Sequence, residues 1–351
     1  MIIIPFFNGE EGSALVCTEI IATIGIPFNE EAVNEKVTYS LKYGIRSFRF
    51  NLAKCSSEEE LEYFEKIIRN LTQNKSMQHC KIMLDLPFPG RKTRISFVDN
   101  HFTYDFESGE TVTITGEKNK FRDFNTKVIF VDNENICRSV STGQKLIYSD
   151  GDCVLSVLEV DDEQDCVIAK VSNTIKMYTK KSLSYNYVAK ELNGQQYIDL
   201  VNRVKPSSVA FSFVTDLSDL LTCRNGILDK DIEIISKIET ADSIKNADEI
   251  ASSSNLMLGR GDLLLNSEIC RLYEYQSEIS KTAKRRSKKL YIATGILTSL
   301  RRQPIPTPAE MIDLYNIISC RPDAIILNAE IFIGENVEAA VKLIRDTAAQ
   351  I

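Results

Sequence analysis

Lys237 and Glu239 stand two residues apart at the end of an apolar run, Ile232–Glu239 (IEIISKIE). Side chains alternate along a strand, so this spacing aims a cation and an anion in one direction. The pattern recurs along the chain. Arg49 and Asn51 end the run RSFRFNL, Asp85 ends KIMLDL, and Arg260-Gly261-Asp262 follows NLML. Thr294 follows LYIA, and Asn328 and Glu330 follow DAIIL. Glu239 and Asp262, with Asp85 nearby, would suit a divalent cation such as Mg²⁺ or Mn²⁺, which keeps positions for water and substrate oxygens. Lys237 and Arg49 beside them suit an anion, either a phosphate or a keto acid. The backbone after Gly261 opens a polar helix, where N–H groups can hold a carboxylate. Any one such pair reads as a surface ion pair of small worth. Five strand ends presenting them together read as a site.

The elements that would bring these ends together are legible as short apolar runs: TEIIATIG, RSFRFNL, KIMLDL, SVAFSF, IEIISKIE, NLMLGR, LYIATG and DAIILN. Each is nearly continuous, as strands buried on both faces are. Segments with helical spacing separate most of them, including SSEEELEYFEKIIRNL and TPAEMIDLYNII. Eight such units predict an α/β fold, a parallel (β/α)₈ TIM barrel whose site lies at the C-terminal strand ends, on the rim and outside the packed core. From about residue 88 to 184 the rhythm changes to half-buried strands of antiparallel character with almost no helix. The expected organisation is therefore a barrel domain over 1–87 and 185–351, with a small all-β lid over 88–184 inserted after the third strand.

Composition excludes several function classes. The 351 residues carry a formal net charge of −7, a poor match to a phosphate backbone. The basic run from Lys284 to Lys289 reads as the solvated C-terminal end of a helix. No run of about 18 apolar residues is present, so no membrane span is expected. The apolar start MIIIPFFNGEEG lacks the basic flank and cleavage site of a signal peptide. Nine cysteines, an odd number without a CxxC, point to reduced thiols and a cytoplasmic protein. With two histidines, His79 and His101, any metal would be held by oxygen.

Taken together, the chain resembles pyruvate kinase. TEIIATIGIP resembles the opening strand of that family, RSFRFNLAK its R-x-N-F-S-H element, and IISKIE its K-I-E strand. LMLGRGDLLL resembles M-V-A-R-G-D-L-G, and IATGILTSLRRQPIPTPAE resembles A-T-Q-M-L-E-S-M-I-x-x-P-x-P-T-R-A-E. The stretch from Val128 to Val160 resembles the lid. The resemblance implies Mg²⁺- or Mn²⁺-dependent phosphoryl transfer from phosphoenolpyruvate to ADP through a pyruvate enolate. It implies that Lys237 contacts the phosphoryl group and supports the enolate, and that Glu239 and Asp262 bind the divalent metal. Gly261, Asp262 and Thr294, with Arg260 beside them, would take the substrate carboxylate, and Arg49 the transferred phosphate. A second phosphate contact falls to Arg94 or to Lys92. Lys180 and Lys181 would meet the nucleotide, ADP or ATP. Asn51 and Asp85 match two ligands of the family's monovalent cation, K⁺. Ala53 and Leu86 replace other residues around that ion, which implies little K⁺ dependence. Thr215 stands where an arginine is expected, and Gly295 where a glutamine is. The match ends with the last helix, so the family's C-terminal domain has no counterpart here; a homodimer through barrel surfaces is implied. These departures leave two other readings open: a different acceptor for the phosphoryl or pyruvyl group, or a weakly active binding or regulatory protein.

Overall fold

The computed structural model describes residues 18–24, 29–53, 55, 57–74, 77, 79–97, 101–116, 127–149, 151–185, 189–190, 194–328 and 336–351. The N-terminal stretch MIIIPFFNGEEG and Glu330 lie outside them. Eight strands form the barrel: β1 (Glu19–Ile24), β2 (Ser47–Asn51), β3 (Lys81–Arg91), β4 (Ser208–Ser212), β5 (Glu233–Ile238), β6 (Asn255–Gly259), β7 (Leu290–Ala293) and β8 (Ala324–Leu327). Each pairs in parallel with the next, and β8 returns to β1, so the sheet closes. All eight apolar runs thus became strands.

Alternation sorts the side chains of every strand. In β5, Ile234 and Ile238 pack outward against the helices, whereas Ile235 joins an inner apolar layer. Ile21, Met83, Ala210, Met257 and Ile326 complete much of that layer. Lys237 shares the face of Ile235, and Glu239 continues it, so both point into the mouth above the layer. Below it, the N-terminal end carries a separate polar ring. Glu19 accepts a hydrogen bond from the Ser47 hydroxyl and pairs with Lys81 at 3.0 Å. Glu233 pairs with Lys289 at 2.8 Å and accepts hydrogen bonds from Asn255 and Tyr291.

The helices start where their caps dictate. Helix α1 (Glu30–Lys42) begins at Asn29, whose side chain accepts from two backbone N–H groups. Helix α2 (Glu58–Gln73) has a Ser57–Glu60 capping box and buries Leu61, Phe64, Ile68 and Leu71, a helical stripe. Further round the barrel lie α3 (Gln195–Val204), α4 (Leu217–Asn225), α5 (Leu272–Arg285), α6 (Pro308–Ser319) and α7 (Val337–Ala348). The basic run does close a helix, and Arg285 and Arg286 both pair with Asp248.

The inserted segment has its own core, including Ile95, Phe106, Val112, Leu146 and Val167. Seven of its strands close into a second, smaller barrel. Its pairings are antiparallel with one exception: Thr111–Thr115 runs parallel to Val128–Val131. The two strands of that pair are buried almost throughout, as parallel strands are, and so depart from the antiparallel character expected of the insert.

Glu310, in the first turn of α6, fastens the chain after β7. It accepts hydrogen bonds from Ser299 N–H at 2.7 Å, Thr298 Oγ1 at 3.0 Å and Thr307 N–H at 2.9 Å. Burial alone would raise its pKa, but the Ser299 and Thr307 hydrogen bonds outweigh that and hold it at about 2, below the ordinary 4.5. The contribution is therefore complete above pH 4.5 and fades as pH falls toward 2. We expect Glu310→Ala to destabilise by about 1–2 kcal/mol at neutral pH. In urea titrations that difference should shrink in acid; a gap independent of pH would refute the ionic role.

Candidate active site

Arg49, Asp85, Lys237, Glu239 and Arg260 are buried, a correction to the expectation that strand ends lie outside the packed core, whereas Asn51, Asp262 and Thr294 are partly buried. Asp85 and Glu239 are each 1% exposed, and Lys237 and Arg49 each 8%. Closure of the barrel brings inward-facing side chains from neighbouring strands together, and long side chains cover one another. The Lys237 ammonium lies 3.2 Å from Asp85 Oδ1 and 3.0 Å from Glu239 Oε1. It also donates to Ser212 Oγ at 3.0 Å. Arg49 donates to Asp85 Oδ2 from Nε at 2.8 Å and from Nη2 at 2.5 Å, and from Nη1 to Thr23 Oγ1 at 3.0 Å. Glu239 Oε2 accepts the Phe213 N–H at 3.0 Å.

Charge balance decides the ionisation states. Burial opposes the charge on Lys237, yet Asp85 and Glu239 more than compensate and raise its pKa, so it stays an ammonium. Burial likewise works against the Asp85 carboxylate, but Lys237 and Arg49 bring its pKa below the ordinary value. Glu239 behaves oppositely. Burial raises it most, Lys237 resists, the charges of Asp262 and Asp85 raise it too, and the balance of all of them is about 7. Two carboxylates that repel across a buried mouth want a cation between them. This donor set, Glu239 and Asp262, fits Mg²⁺ or Mn²⁺, which need only one or two protein carboxylates. Among the described residues no cluster of three or more His, Cys, Asp or Glu offers a fuller cage.

Glycines allow the close approaches. A Cβ on Gly259 would come within 2.7 Å of Glu239 Oε1, and one on Gly261 within 2.6 Å of Thr294 Cγ2. Thr294 itself has a left-handed backbone, φ 76°.

Four expected site residues, Arg260, Arg94, Asp85 and Asn51, are placed differently from the expectation. Arg260 does not aim at a substrate: its guanidinium takes both oxygens of Asp313 at 2.8 Å and the Thr294 carbonyl at 3.0 and 3.1 Å. It thereby holds Thr294 in place. Lys92 forms an ion pair with Asp262 Oδ1. Arg94 lies on the insert, where its backbone N–H donates to Asp132 at 2.6 Å and its Nη1 to the Lys180 carbonyl at 3.5 Å. Asp85 gives its oxygens to Arg49, Lys237 and Ser212, and Asn51 Oδ1 accepts the Ala53 N–H at 3.0 Å. The two oxygens of Asp85 and the Asn51 Oδ1 each meet at least one protein donor, and Arg49 and Lys237 supply the positive charge beside Asp85.

Of the nucleotide candidates, Lys180 reaches toward α2, 3.9 Å from Glu60, while the Lys181 carbonyl accepts from Ile95. Thr215, standing in for an arginine, binds Asp219 through both N–H and hydroxyl. Thr23, Ser212 and the Phe213 N–H were not anticipated. Reading SVAFSF with a period of two would have put Ser212 on the inner face.

A parallel (β/α)₈ barrel with an all-β insertion after its third strand, and a lysine–carboxylate mouth at its C-terminal end, is the class that these features define. The pyruvate kinase barrel-domain family matches residues 15–341, and the chain belongs to the pyruvate kinase family. A pyruvate kinase of Thermotoga maritima is 28% identical over 339 residues, covering 95% of this chain and 70% of the relative. A probable cytosolic pyruvate kinase isozyme of Arabidopsis thaliana is 28% identical, covering 93% of this chain and 65% of the relative. The crystal structure of a pyruvate kinase from Cryptosporidium parvum superposes with a TM-score of 0.75 at 25% identity, over 95% of this chain and 68% of the other. The chain thus spans about two thirds of the length of these relatives. Among the described residues, no helix is long and apolar enough to cross a membrane.

Because Asp85 is already neutralised by Arg49 and Lys237, K⁺ should not stabilise the protein. At equal ionic strength, replacing tetramethylammonium by K⁺ should leave Tm unchanged, since a bound ion would raise it by mass action. A Tm that climbs with K⁺ concentration would show a retained cation site.

Proposed function

We propose that the chain catalyses phosphoryl transfer from phosphoenolpyruvate to ADP through a pyruvate enolate. The observation that supports this most is the Lys237 ammonium fixed between Asp85 and Glu239, on the strand beside the one that leads to Asp262. Phosphoryl transfer needs positioning and neutralisation of charge more than covalent chemistry. Glu239 and Asp262 would hold the divalent metal, which when bound supplies a Lewis acid for the enolate oxygen. Lys237 adds a fixed cation at the same developing charge. Arg49 has three of its five N–H donors engaged by Asp85 and Thr23 and keeps the others for the transferred phosphate. Lys92, the cation beside Asp262, is the second phosphate contact. Thr294 and the backbone at Gly261 and Asp262 receive the substrate carboxylate. The buried thiols, among them Cys55, Cys137 and Cys223, take no part.

A second reading retains the enolate chemistry but changes the acceptor. It is favoured by the acceptor side of the mouth, where Arg94 and Thr215 are engaged by protein groups.

Phosphorus NMR of phosphoenolpyruvate with Mg²⁺, with and without ADP, separates these readings. ATP formed at a protein-dependent rate is the expected result. Untouched phosphoenolpyruvate together with Mg²⁺-dependent binding of oxalate, an enolate mimic, would move the assignment to another acceptor. Loss of both would reject the enzyme reading.

Lys237→Met should reduce turnover by at least ~100-fold. Since Lys237 is buried between carboxylates, the variant should also lose about 3–5 kcal/mol of stability. Wild-type turnover in a folded Lys237→Met protein would sink the site assignment.

A further inference from the structure

The end of β4 is bent, and the bend serves the mouth. Ala210 pairs with Asp85 and Phe211 with Leu86, but Ser212 then pairs with Pro89, a slip along β3. The next residue, Phe213, has a left-handed backbone with φ 54°. A bulky residue adopts that conformation only at a cost, and such strain persists where the surroundings impose it. Two contacts result. Ser212 Oγ reaches Lys237 and Asp85, and the Phe213 N–H reaches Glu239 Oε2. One distorted dipeptide therefore touches both the lysine and the metal-site carboxylate.

The direction of the Ser212 hydrogen bonds follows from donor chemistry. An ammonium only donates, so Ser212 Oγ accepts from Lys237 at 3.0 Å. Its single proton then goes to Asp85 Oδ1, 3.3 Å away. Lys237 has three N–H donors and three acceptors around it: Asp85, Glu239 and Ser212. Two of these are carboxylates. All three bonds share the charge of the ammonium, but those to the carboxylates add the attraction between opposite charges. When an anion enters, the bond to the neutral hydroxyl is the one Lys237 releases most cheaply.

We propose that Ser212 is a positioning residue, which holds the third N–H of Lys237 in readiness and yields it to the incoming enolate or phosphoryl oxygen. The proposal rests on the phosphoryl-transfer reading above. It separates two functions of the dipeptide. Ser212 serves Lys237, whereas Glu239 is steadied by the Phe213 backbone, which Ser212→Ala leaves in place.

The test compares the full chain with Ser212→Ala and Ser212→Thr. Mn²⁺ affinity is read by electron paramagnetic resonance, oxalate affinity by calorimetry at saturating Mn²⁺, and kcat and KM for phosphoenolpyruvate separately. For Ser212→Ala we expect Mn²⁺ affinity within about twofold of wild type, oxalate about tenfold weaker, and kcat about tenfold lower with little change in KM. Ser212→Thr, which keeps the hydroxyl, should restore most of the oxalate affinity. Wild-type oxalate affinity and kcat in Ser212→Ala would overturn the proposal. A parallel fall in Mn²⁺ affinity, oxalate affinity and Tm would overturn it too, in favour of a purely structural role. If the wild-type protein binds Mn²⁺ but not oxalate, the phosphoryl-transfer reading itself fails and takes this proposal with it.

Discussion

An ammonium nearly sealed from water can stay charged only if anions are fixed around it. Lys237 meets this requirement with Asp85 and Glu239, and Asp85 in turn requires Arg49. Removing one partner from such a buried set leaves an uncompensated charge and costs several kcal/mol. The local architecture follows from this constraint. Gly259 leaves room for the Glu239 carboxylate. β4 bends so that a hydroxyl and an N–H reach the ions. Arg260 spends its guanidinium on Asp313 and on the Thr294 carbonyl, bracing the loop at the mouth rather than adding another charge to it.

The replacements that set this chain apart from its family have structural occupations. Leu86 is fully buried in the shell between strands and helices. The Ala53 N–H satisfies Asn51. Thr215 binds Asp219 in the first turn of α4. In each case the residue is part of the scaffold, through packing or through a hydrogen bond of its own. The charged groups of the mouth, Lys237, Arg49, Asp85 and Glu239, stay together beside this scaffold.

Local signals made most of the scaffold readable from the chain. Eight apolar runs separated by helical spacing became eight strands, and the spacing of Lys237 and Glu239 put both into the mouth. What escaped depends on partners distant in sequence. Arg260 looked like an anion receptor because its partner, Asp313, lies 53 positions away on another helix. Choosing between Lys92 and Arg94 required knowing how the insert leaves β3, and two residues along a strand decide which cation meets Asp262. Burial of the rim is likewise a product of closure. No single strand announces that its polar end will be covered by the long side chains of its neighbours.

The inner layer of Ile21, Met83, Ala210, Ile235, Met257 and Ile326 lies between the charged mouth and the polar ring at the other end. Its one hydroxyl, on Tyr291, is turned to the polar ring, where it donates to Glu233, and the rest of the layer is packed aliphatic side chain. The barrel is therefore a well with a floor. Whatever arrives at Lys237 must depart by the opening it came through, so entry and exit share one doorway and must use it in turn.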